Sequence, residues 1–294
     1  MKIAISAGDF PETYSLERIL DTIQLLKVKY VELIHGETMV HKGNIGFIKE
    51  ELKKRGLEPS SVQNWCIFTK KDKIKENQKA LIESIHIAKA MNVKYVRVGP
   101  FGSVKDAKLT KEILKEYKKD ILPCIKEAEK EKICIILENE FHDDPCGNAL
   151  QCLDILIYMD SECFQLLYDP CNFYIAGEEP FPYTYEMLKS YVKYIHIKDA
   201  RKIKEWGTNV NEGRGKPEAN AYLDKEGNSI WKHKNNDYLC VGLKEGGVNY
   251  DGLLTSLKND RYDGFLSIEP HVIEKIHTET LLKNINYMKD RGGK

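Results

Sequence analysis

Eight short apolar runs punctuate this chain of 294 residues, at 2–6, 30–34, 61–66, 95–99, 134–139, 164–169, 194–199 and 265–270. Most are continuous in Ile, Val, Leu and Tyr rather than alternating with polar residues, the pattern of parallel strands covered on both faces. The first seven begin roughly 30 to 40 residues apart, about one strand–helix unit each. Amphipathic helical patterns lie between them. Leu16, Ile19, Leu20, Ile23 and Leu26 recur at the spacing of one helix face. Leu81, Ile85 and Ala88 repeat it, with lysines on the opposite side.

Strand and helix alternating from end to end, with eight strands, predict an α/β fold: a closed (β/α)8 TIM barrel, one domain over 1–294. A doubly wound open sheet is the alternative. Against it, the first run leads into GDFPETYS with no G-x-G-x-x-G phosphate loop. The one irregular interval, 201–247, is rich in Gly, Asn and Lys. A loop after a barrel strand emerges on the catalytic face, so this insertion reads either as a lid or as a solvated excursion. Within it, 221–233 (AYLDKEGNSIWKH) reads as a small hairpin.

Composition narrows the function classes. Lys+Arg and Asp+Glu both total 45, so the net charge is zero and gives no global basic bias toward nucleic acid. No run approaches the ~20 apolar residues of a membrane span, and the N-terminus turns polar too soon for a signal peptide. The eight cysteines include no Cys-x-x-Cys pair. Reduced thiols and a cytoplasmic protein are expected.

In such barrels, polar residues at strand C-terminal ends face the active site. Four late runs end in a potential metal ligand: Glu138 in IILEN, Asp169 in LLYD, His196 in YIHIKD and Glu269 in LSIEP. Taken singly, a strand-ending carboxylate caps the next helix or pairs with a lysine, and a lone histidine is a hydrogen-bonded core residue. Taken together, four costly polar groups on four strands point to one shared ion. Three carboxylates and one imidazole suit a single Mn²⁺, Mg²⁺, Co²⁺ or Zn²⁺.

Several motifs extend the pattern: YVELIHG at 30–36, IAKAMNVKYVRVG at 87–99, ILENE at 136–140, YDPCNFYIAGEEP at 168–180, YVKYIHIKDAR at 191–201 and YDGFLSIEPH at 262–271. On these the chain resembles the xylose-isomerase-like barrels, which include sugar isomerases, ketose 3-epimerases and inosose dehydratases, with an AP-endonuclease branch. The resemblance implies a divalent metal held by Glu138, Asp169, His196 and Glu269. It also implies that Glu138 and Glu269 act as acid and base on opposite faces of a ketose. The expected activity is a metal-dependent sugar or polyol isomerase or epimerase. A dehydratase of inosose or dehydroshikimate type is the alternative, and an AP endonuclease ranks below both. Epimerase-like members have a histidine where this chain has Asn172. The extra histidines of the nuclease branch are missing from Gln63, Asn64, Trp65 and Arg97.

His35, Arg97, Asn172, Lys198 and His271 are the substrate-binding candidates. Glu32 and His35 end the second strand, where either a sugar hydroxyl or a local ion pair would satisfy them. Arg97 binds an anionic or hydroxyl group or buttresses Glu138. Lys198 shares the face of His196 by strand alternation, while Asp199 caps the loop. His142 is expected to face solvent. Trp65, Trp206 and Trp231 stack on sugar or serve packing. GLKEGG is a tight loop or a phosphate cradle. The lysine runs at 70–75 and 126–132 are solvated faces. The partner expected is a small carbohydrate, with no nucleic acid and no membrane. A homo-oligomer is left open.

Overall fold

The computed structural model describes residues 1–203, 221–223 and 229–294. The chain runs β1 (Lys2–Ser6), α1 (Leu16–Leu25), β2 (Tyr30–Ile34), α2 (Ile45–Lys54), β3 (Glu58–Gln63), α3 (Ile74–Ala90), β4 (Tyr95–Val98) and α4 (Lys111–Glu131). It continues through β5 (Cys134–Glu138), α5 (Ala149–Met159), β6 (Phe164–Tyr168), α6 (Pro170–Ala176), α7 (Tyr185–Leu188) and β7 (Val192–Ile197). Four strands of the insertion follow: β8 (Asp199–Ile203), β9 (Ala221–Leu223), β10 (Ser229–His233) and β11 (Asn236–Val241). Then come α8 (Tyr250–Asn259), β12 (Phe265–Ile268) and α9 (Glu274–Lys289).

Parallel strands β1 to β7 and β12 close into one barrel, in the order β1-β12-β7-β6-β5-β4-β3-β2. The helices pack as their sequence faces dictate. Ser15 caps α1 by accepting from the Arg18 N–H, and Ile19, Leu20 and Ile23 are buried beneath it. In α3, Leu81, Ile85 and Ala88 form the buried face.

Strand bounds differ most from the apolar runs in two places. β3 starts at Glu58 rather than at residue 61 and ends at Gln63. Its polar Glu58-Pro59 opening hides the strand's start from a search for apolar runs. Proline fits there because the β2–β3 register shifts between Val31 and Glu32, as a bulge allows. β7 ends at Ile197, and Asp199 opens β8 instead of closing β7.

Inside the barrel the inward positions change character with height. Cys134, Ile136, Leu167 and Tyr194 form a separate buried cluster with Tyr95 and Phe265, a packed floor. One or two steps along the same strands come Arg97, Glu138, Asp169, His196, Lys198 and Glu269, all buried. Alternation of side chains thus places a polar layer on an apolar plug, at the strands' C-terminal ends.

Strands β8 to β11 form a second sheet, ordered β8-β11-β10-β9. The hairpin expected at 221–233 is present as the antiparallel β9–β10 pair, with Ile230 opposite Tyr222. The Asp199 carboxylate accepts from the backbone N–H groups of Ala200 (2.9 Å), Gly246 (3.2 Å) and Val248 (3.2 Å). The GLKEGG turn therefore cradles the chain's own carboxylate, and a side chain at Gly246 would collide with it. All eight cysteines are free thiols. Among the described residues no helix is long and apolar enough to cross a membrane.

Candidate metal and catalytic centre

Glu138 ends β5, Asp169 follows β6, His196 lies in β7, and Glu269 follows β12. One ligand atom from each lies within 4.8 Å of all the others, and all four residues are buried. His196 Nδ1 is 2.9 Å from Glu138 Oε1 and 3.0 Å from Glu269 Oε1. Its other nitrogen, Nε2, is 3.1 Å from Glu32 Oε1. Ser61 Oγ donates to the second Glu32 oxygen at 2.8 Å, fixing that carboxylate from below. Glu32 is thus placed to orient the imidazole, as the outer partner of a metal-binding histidine does. A glutamate inside the apolar run YVELI was its sequence signal.

Two asparagines hold Asp169 in position. Asp169 N–H donates to Asn139 Oδ1 at 2.7 Å, and Asn139 Nδ2 donates to the Asp169 carbonyl at 2.8 Å. Asn172 Nδ2 donates back to the Asn139 carbonyl at 2.9 Å. This clasp joins the ends of β5 and β6 where the strand ladder stops. Asp169 also caps α6, its Oδ1 accepting from the Asn172 N–H at 3.0 Å, with Pro170 in the first turn. Capping engages one carboxylate oxygen and leaves Oδ2 facing the bowl, 2.8 Å from Lys198 Nζ.

The centre is crowded with charge. Lys198 Nζ also lies 3.1 Å from Glu269 Oε1. The Arg97 guanidinium meets Glu138 Oε2, and its Nη1 donates to Gln63 Oε1 at 2.9 Å. Burial pushes the Glu138 carboxyl up, but Arg97 and His196 outweigh it and hold the group at about 2. Burial likewise opposes ionisation of Glu269, and His196 and Lys198 reverse it. At His196, burial favours the neutral ring, but Glu269, Glu32 and Glu138 together raise its pKa well above the ordinary value. Asp169 goes the other way: burial raises its pKa, and Glu138 and Glu269 add to the rise against Lys198.

These residues fit a divalent cation. Glu138 Oε2 and Asp169 Oδ2 are buried and make no hydrogen bond, and each faces a cationic side chain, Arg97 and Lys198 respectively. Three hard carboxylates and one imidazole that a fourth carboxylate orients are a donor set for Mn²⁺, Mg²⁺, Co²⁺ or Zn²⁺.

The substrate candidates divide. Arg97, Asn172, Lys198 and His271 line a cavity of about 280 Å³ whose wall also includes Glu138 and Glu269. Arg97 buttresses Glu138 rather than standing free. Asn172 spends its amide N–H on the clasp, and its buried Oδ1 has no hydrogen-bond donor. His271 Nδ1 lies 2.7 Å from Asp9 Oδ1, and its Nε2 is 3.5 Å from Glu269 Oε1. His35 is not brought to the cavity. Glu32 and Ile34 point inward, so alternation turns His35 toward α3, with Nδ1 2.7 Å from Ser84 Oγ and 2.9 Å from Asn64 Nδ2. His142 is also corrected: it is half-buried, its ring 3.8 Å from that of Phe141 and 5.5 Å from that of Trp231. Trp65 and Trp231 both line the cavity, whereas Trp206 lies outside the described residues.

Comparison with known proteins agrees with this architecture. Similar solved structures include the probable 3-DHS dehydratase AsbF of Bacillus anthracis, at TM-score 0.73 and 16% identity, over 99% of this chain and 100% of that one. A D-tagatose 3-epimerase-like protein aligns at TM-score 0.72 and 19% identity, over 99% and 97%. The IolI protein with a bound zinc atom aligns at TM-score 0.71 and 17% identity, over 99% and 98%. These likenesses show the fold. Comparison with curated proteins gives no match. The family model described as xylose isomerase-like TIM barrel matches residues 20–291, and the chain belongs to that family.

Proposed function

We propose that this protein is a divalent-metal-dependent isomerase or epimerase of a sugar or polyol, moving a proton at a carbon next to a carbonyl. The observation that carries the reading is the pair Glu138 and Glu269. They reach one imidazole nitrogen from β5 and β12, on the two sides of β6 and β7, beneath one cavity. A carboxylate on each side of a bound ketose can take a proton from one face of a carbon and return one to the other. A bound divalent ion supplies Lewis-acid polarisation of the carbonyl and the neighbouring hydroxyl, with Glu138, Asp169, His196 and Glu269 as its ligands. Arg97 and His196 keep Glu138 ionised, and His196 and Lys198 keep Glu269 ionised, so both stand as carboxylates. Lys198 and His271, at the cavity wall, are placed to bind substrate oxygens. The zinc in the IolI relative supports a metal here, and its epimerase-like relative supports proton transfer.

Loss of water is the second reading. Its specific support is the Asp9–His271 pair, which would deliver a proton to a departing hydroxyl. The test is incubation with ketoses and inososes in D₂O after loading with Mn²⁺, Co²⁺ or Zn²⁺. Deuterium is expected next to the carbonyl, and Glu269→Gln should slow its entry by about 10²–10⁴-fold. Water loss from the same substrates would select the dehydratase. Neither exchange nor water loss with any ion, or nicking of abasic DNA without action on sugars, would end both readings.

A further inference from the structure

We infer that the catalytic cavity opens into a second chamber that binds a ring attached to the reacting unit. The preferred substrate is then a ring-extended, glycoside-like keto sugar or polyol rather than a free monosaccharide. This rests on the proposed reading of the site as one for sugars or polyols.

The second chamber measures about 400 Å³, larger than the first, and its walls are the loops that follow β3, β4 and β5. The two chambers share three wall residues, Trp65, Glu140 and Trp231, so they adjoin. Two of the three are tryptophans. Trp65 is 58% exposed, and its ring is backed by the Arg97 guanidinium, 4.3 Å from the ring centroid. Trp231 comes from the other side, on β10 of the insertion. Its indole N–H donates to Cys240 Sγ at 2.9 Å, and its ring meets Phe141 edge-on at 5.6 Å. Both indoles are therefore held before any ligand arrives, as a stacking platform needs to be.

Glu140 is the third wall residue the two chambers share. Its Oε1 accepts from the Phe141 N–H at 2.8 Å, which fixes the carboxyl at the junction where a linking oxygen or a flanking hydroxyl would pass. Beyond it the half-buried His142 adds a polar edge to the aromatic walls. A flat ring with an apolar face and hydroxyls at its rim matches that combination. A free six-carbon sugar over the metal ligands would leave the larger chamber filled with water alone.

The experiment compares D-fructose with three ketoses that carry a second sugar ring: isomaltulose, turanose and lactulose. Binding to the Mn²⁺-loaded protein is measured by calorimetry, and deuterium exchange in D₂O by NMR. At least one disaccharide should bind about tenfold or more tightly than D-fructose, the factor one added stacked ring supplies. Ser103→Trp, a plug in the outer wall away from the metal ligands, should erase that advantage and change fructose binding less than about twofold. Trp65→Ala should weaken the disaccharide in the same direction without filling the chamber.

If disaccharides bind more tightly and the plug removes the preference, but no sugar exchanges, the chamber stands and the proton-transfer reading falls. If fructose binds and exchanges as well as every disaccharide, the chamber inference falls and the reaction stands. If no sugar binds, both fall.

Discussion

His196 presents each of its ring nitrogens to carboxylates, Nδ1 to Glu138 and Glu269 and Nε2 to Glu32. Glu32→Gln removes the charge that orients the ring, and metal affinity should drop about 10–100-fold while the far-UV spectrum is kept. Unchanged affinity would show that Glu32 has another role. A second prediction concerns protons. The His196 pKa lies well above its ordinary value, so the ion-free protein carries an imidazolium at neutral pH. That charge stabilises the ion-free fold below the ordinary histidine value and is lost as pH rises through the raised one. An ion bound at Nδ1 must expel the proton, so affinity should rise with pH by about tenfold per unit while one proton leaves. Calorimetry in two buffers of different ionisation enthalpy measures the release, and none would contradict the assignment. The cluster of Glu138, Asp169, His196 and Glu269 was legible because charges in apolar runs are conspicuous. His35 points outward because side chains alternate along a strand, and Glu32 and Ile34 already take the inward face. The use of Asn172 in a clasp was hidden because its partner, Asn139, is far away in sequence.

Between elements, the Asn139 clasp stands in for the missing ladder between β5 and β6. Asn139→Ala strips the side-chain partner of the buried Asp169 N–H and the shorter of the two donors to its carbonyl, and should destabilise the fold by about 2–4 kcal/mol. Urea unfolding measures this, and a loss under about 1 kcal/mol would mean water replaces the side chain. All eight barrel strands overlap the apolar runs, most of them closely. β3 is the one displaced at its start, since Glu58-Pro59 reads as a break and the register shift opposite Val31 and Glu32 accommodates it. The β9–β10 hairpin was legible from its turn residues. That Asp199 would fill the GLKEGG turn was not, because the turn and the carboxylate are joined by tertiary structure alone.

At the scale of the whole molecule, the barrel divides its interior between an aromatic floor and a polar bowl, with the insertion supplying Trp231 and Cys240 to the cavity wall. The floor needs no ligand for its stability, while the bowl gathers four carboxylates around His196 and Lys198. An ion that binds only the folded barrel stabilises it by mass action, about 2.7 kcal/mol at a hundred times its Kd. The melting temperature should therefore climb by a few degrees with Mn²⁺, Co²⁺ or Zn²⁺, and Asp169→Ala should abolish the rise. The most direct test is metal stoichiometry. After equilibration with each ion and removal of the excess, elemental analysis should find one divalent ion per wild-type chain and almost none in His196→Ala. An ion-free wild-type protein, or equal metal in wild type and variant, would contradict the site.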